Sequence, residues 1–192
     1  MRIIAGLAKG MPVAAPRRGV RPTADRTRAA IFSILGGCVA EARVLDLFAG
    51  TGALGLEAAS RGAASVTFVE NAAGALLCLK RNLDAFQHYR EAEGGFAVIR
   101  DNVDRQLRRL ADAGESFSLV FADPPYGEAA QELLRDECLP RLLPADGLLV
   151  LESAKRAAPS VGPPWQLVRE AVYGDTRVSL LRCRLATSTD GG

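Results

Sequence analysis

From residue 44 to residue 151 the sequence alternates short apolar runs with segments that repeat apolar residues at helical spacing. The runs are rich in Val, Leu, Ile and Phe and predict strands, whereas the segments between them predict helices. Strand and helix units with short connections form a mostly parallel sheet covered by helices on both faces. The predicted strands are 44–47, 65–69, 96–99, 117–122 and 147–151, and the predicted helices are 53–60, a helix ending near Leu83, 103–110 and a helix ending near Leu143.

Two extended runs near the C-terminus, 165–173 and 176–185, are separated by Gly174 and Asp175. A glycine-containing turn between two such runs predicts an antiparallel hairpin at the edge of the sheet. The expected architecture is α/β and Rossmann-like, with a mostly parallel seven-stranded sheet that ends in this hairpin. It resembles the class I S-adenosylmethionine-dependent methyltransferase fold, an analogy that does not decide the chemistry.

The first 36 residues predict a small hairpin followed by a helix. Short apolar runs at 2–4 and 11–13 form the hairpin, and Thr23 or Asp25 is expected to cap a helix that ends at Gly36. We expect this segment to be a small N-terminal appendage to the sheet domain.

Basic residues are concentrated in the same segment. The formal net charge of the chain is +2, yet the first 28 residues hold seven basic residues and one acidic residue. A basic segment on a near-neutral body is typical of an arm that binds a polyanion such as nucleic acid, although a solvated N-terminus would have the same composition. We therefore divide the chain into a basic arm and helix (1–36) that would face nucleic acid, a domain whose expected fold is methyltransferase-like (37–186) and a disordered tail (187–192). The candidate RNA-binding residues are Arg2, Lys9, Arg17, Arg18, Arg21, Arg26 and Arg28.

Composition excludes several other classes. Apolar residues make up 48% of the chain and charged residues 24%, which is typical of a globular protein, and no apolar run approaches the roughly 18 residues of a membrane span. There is no signal-peptide pattern, so we expect a cytoplasmic protein. We also expect a monomer. The four cysteines form no CxxC pair and His88 is the single histidine, so we expect no metal site. We expect the thiols to be reduced and mostly buried. His88 lies in a polar stretch, and we expect it in a loop or at a helix end.

A glycine-rich turn follows the strand at 44–47. Gly50, Gly52 and Gly55 have the spacing GxGxxG, and Glu70 lies twenty residues after Gly50. A strand, a glycine turn and a helix in this order leave the first N–H groups of the helix open to a ligand, and an acid at this distance is expected to bind ribose hydroxyls. The pattern predicts a cofactor that contains a nucleoside.

Asp46 indicates which cofactor this is. Its carboxylate, four residues ahead of Gly50, would repel the diphosphate of a nicotinamide cofactor but suits an ammonium group. S-adenosylmethionine carries an ammonium, a sulfonium and a ribose, and no phosphate. The alternative is that Asp46 caps a neighbouring turn.

The sequence Asp123-Pro124-Pro125-Tyr126 follows the strand at 117–122 and therefore lies at the same edge of the sheet. Two consecutive prolines fix the backbone, so that the Asp123 carboxylate and the Pro124 carbonyl can accept both hydrogens of one exocyclic amine. Tyr126 offers a ring on which a base can stack, a contact worth roughly 1–3 kcal/mol. Asp123 can take the proton after the amine nitrogen becomes cationic, so no histidine is required. The alternative is an ordinary turn that ends the strand.

These motifs together resemble those of the RsmD-type methyltransferases, bacterial enzymes that methylate the N2 amine of a guanine in 16S rRNA. The resemblance covers nearly the whole chain, and two of its segments, RPTADRTR and YGDT, separate this family from other amino-group methyltransferases. Family members usually have an acidic residue where this chain has Ala29. The shared segments are RIIAG, RPTADRTR, LDLFAGTGALGLEAASRGA, FVE, DPPY and YGDT.

The resemblance implies a role for each matching position. Asp46 to Gly52 would hold the methionine part of the cofactor, Glu70 the ribose hydroxyls, and Asp101 the adenine N6, unless Asp101 caps the helix at Val103. The catalytic residues would be Asp123, Pro124, Pro125 and Tyr126, and the partner 16S rRNA in the small subunit or a late precursor. The implied cofactor-binding residues are Asp46, Phe48, Gly50, Thr51, Gly52, Glu70, Asn71, Asp101 and Asn102.

Other functions compete with this one. N6-adenine methylation of DNA or RNA would use the same DPPY chemistry, and a glutamine-modifying protein methyltransferase would typically have Asn in place of Asp123. A nicotinamide-dependent oxidoreductase would account for the glycines and Glu70 but not for DPPY. A non-catalytic RNA-binding module would not need the glycines of the cofactor pocket.

Overall fold

The computed structural model of the chain describes residues 1–15, 25–89, 95–125 and 128–184. Within these ranges seven strands form a single sheet, and helices pack on both of its faces. The strands are β1 (Arg43–Leu47), β2 (Ser65–Glu70), β3 (Phe96–Arg100), β4 (Leu119–Ala122), β5 (Leu148–Ala154), β6 (Trp165–Tyr173) and β7 (Thr176–Cys183). The helices are α1 (Asp25–Leu35), α2 (Ala53–Ser60), α3 (Ala73–Gln87), α4 (Val103–Asp112) and α5 (Ala129–Arg135), with 3-10 turns at Gly36–Val39 and Leu139–Leu142.

The order of strands in the sheet is β3-β2-β1-β4-β5-β7-β6. β1 to β5 run parallel, and β7 is antiparallel to both β5 and β6. From β1 the chain moves outward to β2 and β3, and it then returns to the other side of β1 to form β4. In open sheets of this kind ligands bind at the carboxyl ends of the strands where the order reverses, which here lies between β1 and β4. The predicted fold class is confirmed.

Two apolar layers cover the faces of the sheet. Phe32, Leu56 and Phe121 belong to the layer beneath α1, α2 and α3, and Leu107 and Leu149 belong to the layer beneath α4 and α5. The central strands β1, β4 and β5 are buried on both faces, which explains why they read as continuous apolar runs.

The N-terminal hairpin is part of the first layer. Arg2 and Pro12 form an antiparallel bridge, and Ile3 and Met11 lie against the sheet domain with 2% of their surface exposed. The hairpin therefore shares its core with the sheet. The division of the chain into arm, domain and tail stays a prediction, and residues 16–24 and 185–192 lie outside the described ranges.

The expected helix ending near Leu143 is wrong in its length. α5 ends at Arg135, because Asp136 adopts an extended conformation and its carboxylate accepts hydrogen bonds from the backbone N–H groups of Cys138 and Leu139. These bonds begin a separate 3-10 turn. Elsewhere the predicted bounds of the strands and helices differ from those observed by a few residues, and His88 lies at the C-terminal end of α3, as predicted.

All four cysteines are free thiols, and two of them, Cys78 and Cys183, are buried. Within the described ranges, no helix combines the length and the apolar character needed to cross a membrane.

Candidate active site

Two loops leave neighbouring strands at the same edge of the sheet. Asp46 pairs with Phe121 and Leu47 pairs with Ala122 in the parallel register of β1 and β4. The glycine turn that follows β1 and the Asp123-Pro124-Pro125 segment that follows β4 therefore begin side by side, at the point where the order of strands reverses. The two motifs, 77 residues apart in sequence from Asp46 to Asp123, therefore flank the position where open sheets of this kind form a ligand-binding crevice, which we call the cleft.

The glycine turn has an unusual backbone. Phe48 has a φ of +56°, a left-handed conformation that residues other than glycine seldom adopt, and Gly52 has a φ of +77° at the position that precedes α2. A Cβ atom on Gly52 would lie 2.3 Å from Leu79 Cδ1, so a side chain here would also collide with α3. Strain of this kind persists where the surrounding structure holds it in place, and it is common at ligand-binding sites.

The third glycine has a different role. A Cβ atom on Gly55 would lie 2.3 Å from Phe68 Cε1 and 2.7 Å from Val66 Cγ1, both on β2. Gly55 therefore allows α2 to pack closely against the sheet, as the last glycine of this fingerprint does in dinucleotide-binding folds.

Glu70, at the end of β2, ties the glycine turn to α3. One carboxylate oxygen accepts a 2.7 Å hydrogen bond from the Gly50 N–H group, and the other accepts bonds from the N–H groups of Asn71 and Ala72. Only 8% of Glu70 is exposed. This side chain therefore fixes the backbone of the glycine turn and of the start of α3 at the same time.

Asp46 is 1% exposed and accepts a 2.9 Å hydrogen bond from the Gly55 N–H group in the first turn of α2. The pKa of Asp46 is raised to about 8: burial is the largest cause, the Gly55 hydrogen bond opposes the shift, and the charges of Asp123 and Glu70 add to it. The turn-capping contact considered in the sequence analysis is therefore present. The three carboxylates therefore lie close enough to affect one another, and a cationic ligand placed beside them would favour the ionised form of Asp46.

Asp101 does not cap the helix that follows it. The cap of α4 is Asn102, whose side-chain oxygen accepts a 2.9 Å bond from the Asp104 N–H group. The Asp101 carboxylate instead forms ion pairs of 3.1 Å with Arg105 and 3.0 Å with Arg109, both on α4. The alternative role as a helix cap is therefore wrong.

In the loop that follows β4, Asp123 is exposed, Pro124 is buried and Pro125 is exposed. Buried Pro124 anchors the loop, and the carboxylate of Asp123 lies near enough to Asp46 to raise its pKa. The predicted stacking residue, Tyr126, lies outside the described residues.

The prediction that Arg28 contacts RNA is wrong. Arg28 is fully buried: its guanidinium group lies 3.6 Å from Glu57 and 2.9 Å from Asp25 and donates to the backbone carbonyl of Arg2. Its charge is neutralised inside the protein because α1 turns this face toward α2, so it is not available to a phosphate. Arg2, Lys9 and Arg26 are exposed, and Arg17, Arg18 and Arg21 lie outside the described residues.

Sequence reasoning missed the residues that dock the N-terminal hairpin. Glu57 accepts hydrogen bonds from the N–H groups of Ile4 and Ala5, Ser60 accepts one from Ala8, and Asn82 holds Ala14. All three docking residues are buried polar side chains on α2 and α3. The signal for Glu57 was present in the sequence, because it is a carboxylate in an otherwise apolar helix.

The model of a protein family described as Conserved hypothetical protein 95 matches residues 1–182. Ribosomal RNA small subunit methyltransferase D of Escherichia coli (strain K12) is 35% identical over 186 residues, which cover 94% of this chain and 88% of that protein.

The chain belongs to the ribosomal RNA small subunit methyltransferase D family. This membership confirms the resemblance stated from the motifs, and with it the expected class of enzyme, a methyltransferase.

Solved structures share the fold of this chain. A hypothetical protein of Thermus thermophilus is 32% identical and superposes with a TM-score of 0.79 over 94% of this chain and 98% of its own. The structure of SMU.776, complexed with SAH, has a TM-score of 0.66 over 82% of this chain and 49% of its own. At 17% identity the second structure supports the fold alone.

Proposed function

We propose that this member of the methyltransferase D family transfers a methyl group from S-adenosylmethionine to the exocyclic N2 amine of one guanine in 16S rRNA. The observation that carries the proposal is the register of β1 with β4, which brings the glycine turn and the Asp123-Pro124 loop to one edge of the sheet. A cofactor held by the first loop and an amine held by the second would meet there.

The residues around the glycine turn fit this cofactor. Asp46 and Glu70 place two carboxylates beside the glycine turn, and an ammonium group would stabilise the ionised form of Asp46, whose pKa is raised to about 8, mainly by burial. Asp46 to Gly52 would hold the methionine part, Glu70 with Asn71 the ribose, and Asp101 with Asn102 the adenine. The cofactor would supply an electrophilic methyl group.

The second loop would bind and orient the amine. The Asp123 carboxylate and the Pro124 carbonyl accept its two N–H groups, which favours a tetrahedral nitrogen whose lone pair points into the cleft, and this positioning supplies much of the rate. Asp123 then holds the proton that the nitrogen loses. The guanine must leave its stack to reach the loop, at a cost of a few kcal/mol, and Tyr126 would stack on it.

We assign rRNA contacts to the basic residues of the N-terminal segment other than Arg28. Arg2, Lys9 and Arg26 are exposed and can reach phosphates. Arg17, Arg18 and Arg21 are proposed from the sequence. Contacts of this kind position the RNA and weaken as the salt concentration rises. Adenine N6 methylation is the alternative outcome, because the loop does not by itself choose between the two bases.

The decisive experiment maps modified bases in 16S rRNA by nuclease digestion and mass spectrometry, in cells with and without this gene. We expect one N2-methylguanine to be absent without the gene and to return when the purified protein and S-adenosylmethionine are added to small subunits from those cells. If an N6-methyladenine is missing instead, the base that the enzyme methylates is adenine and not guanine. Unchanged rRNA would contradict it.

Calorimetry tests the cofactor separately. S-adenosylhomocysteine is expected to bind at micromolar strength or better, and NAD is expected not to bind. Tight binding of NAD would favour the oxidoreductase alternative.

A further inference from the structure

Asn82 lies in the middle of α3 and is 2% exposed. Its Oδ1 atom accepts a 2.8 Å hydrogen bond from the Ala14 N–H group, and its Nδ2 group donates to two backbone carbonyls, that of Ala14 at 3.0 Å and that of Thr51 at 2.9 Å. The carboxamide thus uses both of its N–H hydrogens and one oxygen lone pair on two distant segments of the backbone.

The two segments belong to different parts of the proposed site. Thr51 is the buried residue between Gly50 and Gly52 in the glycine turn, where the cofactor is proposed to bind. Ala14 ends the N-terminal hairpin, three residues before Arg17, the first of the arginines proposed from the sequence to contact RNA. One buried side chain therefore joins the cofactor loop to the base of the basic segment.

Asn82 also fixes the orientation of a peptide group in the strained turn. The N–H group of Gly50 is held by Glu70, and the carbonyl group of Thr51 is held by Asn82. Leu79, one helical turn earlier, supports Gly52 from the same face of α3. A buried amide with every N–H group satisfied holds its partners firmly, because an unpaired polar group in this environment is costly.

We infer that Asn82 is a positioning residue that holds the glycine turn in its cofactor-binding conformation and couples it to the N-terminal segment. The inference rests on the proposed cofactor site. A change at Ala14, which is outside the cofactor loop, then alters cofactor affinity through Asn82. By linkage, binding of RNA to the N-terminal segment and binding of the cofactor then change each other's affinity by the same factor.

The first test replaces the side chain. Asn82→Ala is expected to raise the Kd for S-adenosylhomocysteine about tenfold in calorimetry, and the KM for S-adenosylmethionine similarly, with kcat at saturating cofactor little changed. Asn82→Asp keeps the size of the side chain but lacks both N–H donors, so we expect an increase in this Kd that is at least as large. Leu83→Ala is the control, because it removes a buried apolar side chain from the same helix. It should lower Tm while its Kd stays within about twofold of that of the unaltered chain.

The second test removes the hydrogen-bond donor of Ala14. Ala14→Pro eliminates the N–H group that bonds to Asn82, whereas Ala15→Pro places a proline one residue later without removing that bond. We expect Ala14→Pro to raise the Kd for S-adenosylhomocysteine about threefold to tenfold, and Ala15→Pro to leave it unchanged.

Equal Kd values for the two proline variants would overturn the coupling, and an unchanged Kd in Asn82→Ala would overturn the positioning role. Binding of S-adenosylhomocysteine by the unaltered chain is measured first, because it tests the proposed function itself. Failure at that step contradicts the cofactor assignment, whereas failure of the variants alone contradicts the inference about Asn82.

Discussion

The two sides of the cleft are built differently. On the side of the glycine turn the charged groups are buried and hydrogen-bonded to backbone: Asp46 holds Gly55, and Glu70 holds Gly50. On the other side, in the Asp123-Pro124-Pro125 segment that we call the proline loop, Asp123 is exposed and the two prolines restrict the backbone. The first side is organised in advance by contacts within the chain, which suits a small cofactor. The second is open, which suits a reacting group that arrives on a large substrate.

Asp123→Ala is the variant expected to separate the functions of the two sides most clearly. We expect methyl transfer to fall by roughly 100- to 10,000-fold, because the amine loses an acceptor that orients it and takes its proton. The Kd for S-adenosylhomocysteine should change by less than about twofold. Asp146→Ala, which removes an exposed acid from the loop before β5, is the control and should retain activity. Equal losses of transfer and of cofactor affinity in Asp123→Ala would contradict the separation of the two sides.

Arg26 and Arg28 extend the comparison to the N-terminal segment, because one is exposed and the other is buried against Glu57. Arg28→Ala removes one of the two arginines that pair with buried Glu57, and because Arg61 remains at 2.8 Å we expect the free energy of unfolding to fall by about 1.5–3 kcal/mol in urea titrations. Arg26→Ala should leave stability unchanged and weaken RNA binding more at low salt than at high salt. If Arg28→Ala were as stable as the unaltered chain, the buried ion pair would not be what holds α1 on α2.

Gly52→Ala tests the strained turn. A side chain at a φ of +77° and 2.3 Å from Leu79 Cδ1 should cost roughly 1–3 kcal/mol of stability and weaken binding of S-adenosylhomocysteine. Gly114→Ala is matched to it, because Gly114 has a φ of +70° with no atom within 4 Å of the added Cβ. The control should show the cost of the backbone conformation without an effect on cofactor affinity. The same Kd in both variants would contradict the role of the turn.

Asp46→Asn is expected to change the pH dependence of stability. Because the pKa of Asp46 is raised from 3.8 to about 8, the folded chain binds more protons than the unfolded chain between these values. The free energy of unfolding therefore falls as pH rises across this interval, by up to about 1.4 kcal/mol per pH unit. The carboxamide introduced by Asp46→Asn does not ionise, so denaturation curves of the variant from pH 4 to pH 8 should lack this decrease. A decrease equal to that of the unaltered chain would show that Asp46 is not its source.

The motif residues illustrate how far sequence analysis reaches. Periodicity and glycine spacing were sufficient to predict the turn after β1, and the apolar run before Asp123 predicted its position at the end of a strand. The roles of Arg28 and Asp101 could not be read in this way, because the partners of a charged side chain depend on which face of its helix packs against the protein. Glu57 neutralises Arg28 from a helix 29 residues away, and the arginines of α4 pair with Asp101.

By itself the sequence determined the order of strands and helices along the chain, the glycine turn and the Asp123-Pro124-Pro125 segment, because each follows from local periodicity or from the conformational limits of Gly and Pro. The tertiary structure decided that β1 lies beside β4, that Arg28 is inside the protein, and that Asn82 connects Ala14 with Thr51. These features depend on contacts between segments far apart in the chain. Such contacts follow from how the helices and strands pack together, which no local pattern encodes.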